Sequence, residues 1–221
     1  MGEKPQLLIL NVLPELTKLN ALIKNIMAQT GASDPNEAIR LVNSGEWVVS
    51  RPTRSWREQD GVIYFSVTSD GTTGEEWIKR LEKNGFRVSD YAKSVLRSKD
   101  FKPTSGVTTE IAVLKGMLFE ENERITKKIR DEAARRNLVT PNAEIACLIR
   151  EKFTDKEIEA MGLWWIVAMH DPIEDYDGDL LLLSANRHDR GCGLNAFRGS
   201  PGDGWDHEDG FAFSVEQVIS P

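Results

Sequence analysis

Leu16, Leu19, Leu22, Ile23, Ile26 and Met27 recur at the spacing of one helix face behind Pro14, so the pattern predicts an amphipathic helix over residues 14–29. A shorter helix follows, with Asp34 as its N-cap, Pro35 in its first turn and Gly45 as its stop. The period then changes. Trp47 to Val49 and Val62 to Val67 are rich in β-branched and aromatic residues between turn formers, which predicts a hairpin-like pair of strands. Thr73 with Glu76 makes a capping box for a helix over 74–84 that stops at Gly85, and Ser89 caps another through about Arg97.

Residues 99–106, KDFKPTSG, are short, polar and broken by Pro103 and Gly106, and they are the candidate linker. The expected division is therefore an accessory α+β region at 1–99 and a second domain at 100–221. Beyond the linker, 107–117 reads as a strand and 121–137 as a helix with Ile125 and Ile129 inward. A further element opens at Thr140-Pro141, with Ile145, Leu148 and Ile149 on one face. Thr154 with Glu157 caps a short helix that Gly162 ends. From Leu163 no helix is predicted. The run LWWIVAMH suits a buried strand; an acidic turn, LLLLS, a glycine-rich middle and the strand GFAFSVEQV follow. The fold class is α+β.

The chain's 221 residues can bury a sizeable core, and no apolar run approaches the length a membrane span needs. The N-terminus lacks the pattern of a secretory signal, so the expected location is the cytoplasm. Charge is unevenly placed: the net charge is -7, and residues 163–221 hold three Arg, no Lys and eleven Asp or Glu. Such a tail does not suit binding to a nucleic-acid backbone. Two cysteines, Cys147 and Cys192, form neither a disulfide framework nor a zinc spacing.

Three features carry candidate chemistry. The turn DPIEDYDGD places Asp175, Asp177 and Asp179 at alternate positions before and after Gly178, as calcium loops do, although Ile173 and Ser184 stand where an EF-hand would carry ligands. His170, His188 and His207 are the only histidines and all lie in the tail beside carboxylates, which raises a metal-dependent hydrolase around His170 as one alternative. The basic helix 121–137 raises a nucleic-acid-associated regulatory protein as another, against which its interleaved Glu and Asp residues speak for a solvated helix. No phosphate loop, dinucleotide fingerprint or zinc signature occurs.

The glycine-rich middle reads as a display surface. Asn186, His188, Arg190, Asn195, Phe197, Arg198, Trp205, Asp206 and His207 mix aromatic anchors with short polar groups, a composition suited to recognising a protein or carbohydrate rather than to catalysis. Ala185 and Arg187, then glycines, Trp205 and the closing Gly210, Phe211 and Phe213, resemble the late segment of C-type-lectin-like domains. The similarity is to formylglycine-generating-enzyme-like proteins and to the variable proteins of diversity-generating retroelements. The resemblance covers residues 100–221 and implies a C-type-lectin-like binding domain with a variable-type surface at 186–209, following a helical and β-hairpin N-terminal region. Between Asn186 and Asp209 only Trp205 and Glu208 lie outside the residues that adenine replacement at asparagine-like codons reaches, which fits a diversified surface. With Cys192 as the tail's only cysteine, the paired cysteines of the enzyme branch are missing, so the resemblance implies binding without catalysis and no cofactor beyond a candidate calcium ion.

Overall fold

The computed structural model describes residues 20, 23, 24, 26–28, 30–47, 54–187 and 192–216. The chain divides into two units, Met1–Arg54 and Ser55–Pro221.

In the first unit, helix α1 spans Pro35–Asn43 and begins as its sequence dictates: the Asp34 carboxylate accepts from the amides of Asn36 and Glu37 at 2.8 and 3.1 Å. Gly45 follows with φ of +75°, a conformation in which a Cβ would be strained. Of the helix expected over 14–29, residues 20, 23, 24 and 26–28 are helical, and the rest lies outside the described residues. Trp47 sits in a bend after α1, not in a strand, and Val48 and Val49 lie outside the described residues.

The second unit is built on one ten-stranded sheet. Its elements in chain order are β1 (Arg57–Gln59), β2 (Val62–Asp70), α2 (Gly74–Lys83), β3 (Arg87–Val88), α3 (Asp90–Arg97), β4 (Ser105–Lys115), α4 (Thr126–Arg135), β5 (Leu138–Val139), α5 (Ile145–Lys152), α6 (Asp155–Ala160), β6 (Trp165–Ala168), β7 (Ile173–Glu174), β8 (Leu180–Asn186), β9 (Cys192–Arg198) and β10 (Asp209–Val215). The strand order is β1-β2-β4-β10-β6-β8-β9-β3, with β5 on β10 and β7 on β8. The partner of β2 in its hairpin is therefore β1 rather than Trp47–Val49. On its other edge β2 pairs with β4 in a register running from Val62↔Leu114 to Asp70↔Ser105.

That pairing carries the sheet straight across residue 99, so the expected split at 99/100 falls inside the second unit. The candidate linker is fastened at several points. Thr104 donates its amide and hydroxyl to the buried Glu144 carboxylate, Gly71 donates to the Thr104 carbonyl at 2.8 Å, and Asn142 donates to the Lys102 carbonyl at 2.7 Å. The polar residues that looked like a linker are hydrogen-bonding partners of a tight connection.

Both faces of the sheet are covered. Trp77 and Leu81 of α2, Val95 and Leu96 of α3, Ile145 and Ile149 of α5 and Ile158 of α6 pack on one face against Ile63, Ile111, Leu183 and Ala185. On the other face Ile129 and Ala133 of α4 pack against Leu114, Val167, Phe211 and Phe213. Burial on two sides explains the consecutive Leu181, Leu182 and Leu183 of β8, a run that strict alternation would forbid; Leu180 before them is exposed. Four helices crowd one face and a single helix covers part of the other, which leaves the sheet beside α4 for loops. No helix among the described residues is long and apolar enough to cross a membrane.

Candidate functional site

The uncovered part of the α4 face is made by β6, β8 and β9. Paired residues of adjacent strands share a face, and the pairs Trp165↔Asn186, Val167↔Ser184, Ser184↔Asn195 and Leu182↔Phe197 set one continuous patch there. The glycine-rich middle proves to be two different things. Residues 192–198 are a regular strand whose Leu194 and Ala196 enter the core, which corrects the expectation that this stretch lies outside it. Residues 199–208 form a loop strapped onto the start of α4: the amides of Thr126 and Lys127 donate to the carbonyls of Asp203 and Pro201, and the Trp205 amide donates to the Arg124 carbonyl, all at 2.9–3.0 Å. The Trp205 indole N–H adds a bond to the Thr126 hydroxyl at 3.0 Å.

Between this strap and the sheet lies a cavity of about 580 Å³, walled by Trp165, Val167, Phe197, Trp205 and Ile125 and rimmed by Glu121, Asn122, Arg124, Arg198, Asp203, Asp206 and Asp209. Its aromatic rings meet edge to face. Trp165 and Phe197 have centroids 4.8 Å apart at 78°, and Phe197 and Trp205 are 6.3 Å apart at 87°. Trp205 also leans on the buried Phe211, 5.8 Å away. All three wall rings are half-buried. Asp209 is buried at the cavity's end, where desolvation pushes its carboxyl up to about 6 despite the bond it accepts from the Asp206 amide at 2.8 Å and the nearby Arg124 charge.

The cavity gathers four of the expected site residues: Phe197, Arg198, Trp205 and Asp206. The others are placed differently. Asn186 is fully buried in β8, and neither of its side-chain polar atoms has a hydrogen-bond partner; the Ser184 hydroxyl on the same face is likewise unpartnered. Asn186 is thus no display residue, because pairing with Trp165 sets it beneath the surface it was expected to form. Asn195 is half-buried and folds its Oδ1 onto the Ala196 amide at 2.9 Å. His207 is exposed in the turn before β10, outside the cavity lining. His188 and Arg190 lie outside the described residues.

The acidic turn is organised from within. Asp175 accepts from the amides of Asp177 and Asp179 at 2.9 Å, and Asp179 pairs with Arg198 at 2.9 Å. The other Asp175 oxygen, Oδ2, is buried without a hydrogen-bond partner, and among the described residues no group of three or more His, Cys, Asp or Glu is gathered as a metal site would gather them. His170 is equally committed. Its Nδ1 bonds the Asp171 carbonyl at 2.7 Å and its Nε2 accepts from the Leu183 amide at 2.9 Å, so neither nitrogen is left for a metal or a substrate proton. Burial pushes its pKa down to about 4, and the ring is neutral. On the basic helix, Lys127 pairs with Asp131, Lys128 with Glu123, and Arg135 and Arg136 with Glu132, while Arg124 and Arg130 turn onto backbone carbonyls. Every cation that gave this helix its basic character is engaged.

Sequence reasoning missed Trp165, Arg124, Asp203 and Asp209 as site residues. The WW dipeptide held the signal for Trp165, since neighbouring strand residues face opposite ways and only one of two tryptophans can join the helical side. It also missed Gly116, which seats the loop before β10. A Cβ there would fall 2.5, 3.0 and 3.1 Å from the backbone oxygens of Asp206, His207 and Asp209. Gly116→Ala is expected to cost about 1–3 kcal/mol by pushing that loop outward, seen as a lower thermal midpoint together with a red shift of tryptophan emission as Trp205 becomes wetter. An unchanged emission spectrum would mean that the loop and the cavity wall are not coupled. Family models, curated proteins and solved structures give no match to this chain.

Proposed function

We propose that the chain is a ligand-binding protein with a C-type-lectin-like arrangement in residues 100–221, whose site is the aromatic cavity between the 199–208 strap and the sheet. The reading is carried by one observation: three half-buried aromatic rings wall a concave site of about 580 Å³ on the α4 face. Three aromatic rings sharing the lining of one concave site offer the kind of anchor that dominates recognition surfaces. Further support comes from topology, since β4 and β10, which open and close the C-terminal part, pair antiparallel from Gly210↔Lys115 to Ser214↔Ile111 and leave the intervening hairpin and loops to form a binding end. Trp165 and Phe197 rise from strands and the strap that carries Trp205 is hydrogen-bonded to residues 124–127, so little conformational freedom is lost on binding.

Under this reading the binding surface centres on Phe197, Arg198, Trp205 and Asp206, and any diversification of codons 186–209 would act through them. The ligand is a protein or carbohydrate presented to the cavity, and the chain has no catalytic role. Panning the full chain against a displayed peptide library and a glycan array is expected to enrich binders that Phe197→Ser or Arg198→Glu abolishes and that Lys79→Ser, exposed on α2 over the other face of the sheet, leaves intact. Binders indifferent to the cavity substitutions, or no enrichment at all, would sink the reading.

A further inference from the structure

We infer that the cavity accepts a small quaternary or methylated ammonium ion, an inference that rests on the ligand-binding reading above. Three observations converge on that chemistry. The first is the shape of the walls. Trp165 and Phe197, and Phe197 and Trp205, meet edge to face at 78° and 87° rather than stacking flat, and all three contribute surface to the cavity lining. A cation within about 6 Å of such ring centroids is attracted to their electron-rich faces.

The second is the charge at the rim, where four carboxylates, Glu121, Asp203, Asp206 and Asp209, face two guanidiniums. Arg198 already serves Asp179 at 2.9 Å, outside the cavity, and Arg124 donates to the Gly116 and Phe119 carbonyls at 3.1 Å. The bonds that Asp203 and Asp209 accept come from the backbone amides of Ser200 and Asp206, which orient the carboxylates without cancelling their charge. No lysine or histidine lines the cavity among the described residues. Four carboxylates against two guanidiniums leave the lining with a formal excess of negative charge, and low-dielectric aromatic walls strengthen its action on a cation.

The third observation separates an organic cation from a metal. A hard divalent ion needs several oxygens converging on one point. No group of three or more acidic or metal-ligating side chains among the described residues is so arranged, and the rim carboxylates instead surround an apolar floor. Diffuse charge over an apolar body, as in a methylated ammonium, matches both the floor and the rim.

The test titrates the full chain with tetramethylammonium chloride and follows tryptophan fluorescence and calorimetric heat. Parallel titrations use tert-butanol, its near-isosteric neutral counterpart, and sodium chloride at equal ionic strength. A saturable response to tetramethylammonium is expected, with affinity about tenfold or more above that for tert-butanol. Phe197→Leu, which keeps apolar volume without a π face, and Asp206→Asn, which keeps its backbone bond, are each expected to weaken the response about fivefold with the thermal midpoint held. Equal affinity for tert-butanol, or the same signal from sodium chloride, would overturn the inference. Should library binders depend on Phe197 while tetramethylammonium gives no saturable response, the cation inference falls and the ligand-binding reading stands; the loss of both would remove both.

Discussion

Arg150→Met is expected to lower folding stability by about 3–5 kcal/mol. The guanidinium is fully buried, and four groups surround it. One nitrogen donates to the Asp155 carboxylate at 2.8 Å and to the Asn186 carbonyl at 2.7 Å, another donates to the Phe153 carbonyl, and the Phe86 ring lies 4.6 Å from its central carbon. It therefore joins the end of α5, the start of α6 and the end of β8 at a single point. Methionine fills much of the volume but leaves two buried carbonyls without donors. Asp155, with 51 % of its side chain exposed, can turn to water instead. Arg150→Lys keeps the charge and loses the planar fork that reaches three acceptors, so it is expected to recover less than half of the loss. Denaturant unfolding of the three proteins measures this directly. A midpoint for Arg150→Met matching the wild type would show that the buried cation is incidental to the fold. Because Asn186 pairs with Trp165, the same substitution is also expected to broaden the environment of a cavity wall.

What the sequence reveals and conceals here follows the range of each interaction. Helix starts were legible because capping is decided within four residues. Asp34 and Ser89 each accept bonds from the first-turn amides as their positions imply, and Thr154 with Glu157 closes its box at 2.8 and 3.3 Å. The linker was misread because polarity is a local property, whereas its hydrogen bonds to Glu144 and Asn142 come from 40 residues away. Asn186 was misread for the complementary reason. A polar residue beside a glycine-rich stretch suggests a surface, but its depth is set by a strand partner 21 positions earlier. In the same way, the aromatic content of the site was visible in Phe197 and Trp205, while the strap that aims Trp205 depends on backbone bonds to residues 124–127 and on the Thr126 hydroxyl, 79 positions away. The chemistry of recognition lay in residue type, and its geometry lay in pairings between distant segments.

Two buried ionisable groups give the chain opposing responses to acid. His170 is held neutral, with a pKa of about 4 against an ordinary 6.5, so the unfolded chain takes up its proton first as pH falls. Stability from this residue is full above 6.5 and drains away toward pH 4, a loss of about 3 kcal/mol. Burial moves Asp209 the other way, to about 6 from 3.8, so here the folded chain takes up the proton first. Its carboxylate weakens the fold above about pH 6, and protonation restores a similar amount on descent to about pH 4. Within the window from 6 to 4 the two changes offset each other. Asp209→Asn, a mimic of the protonated acid, is therefore expected to be more stable than the wild type at pH 7 by up to about 3 kcal/mol. That advantage should vanish by pH 4, where the wild-type carboxyl is protonated as well, and the variant should show the steeper decline between pH 6.5 and 4 because it lacks the Asp209 gain that offsets the loss at His170. Unfolding midpoints at half-unit steps of pH would trace both curves. Parallel curves for the two proteins would mean that Asp209 titrates alike folded and unfolded, and that the end of the cavity is open enough to hydrate its charge.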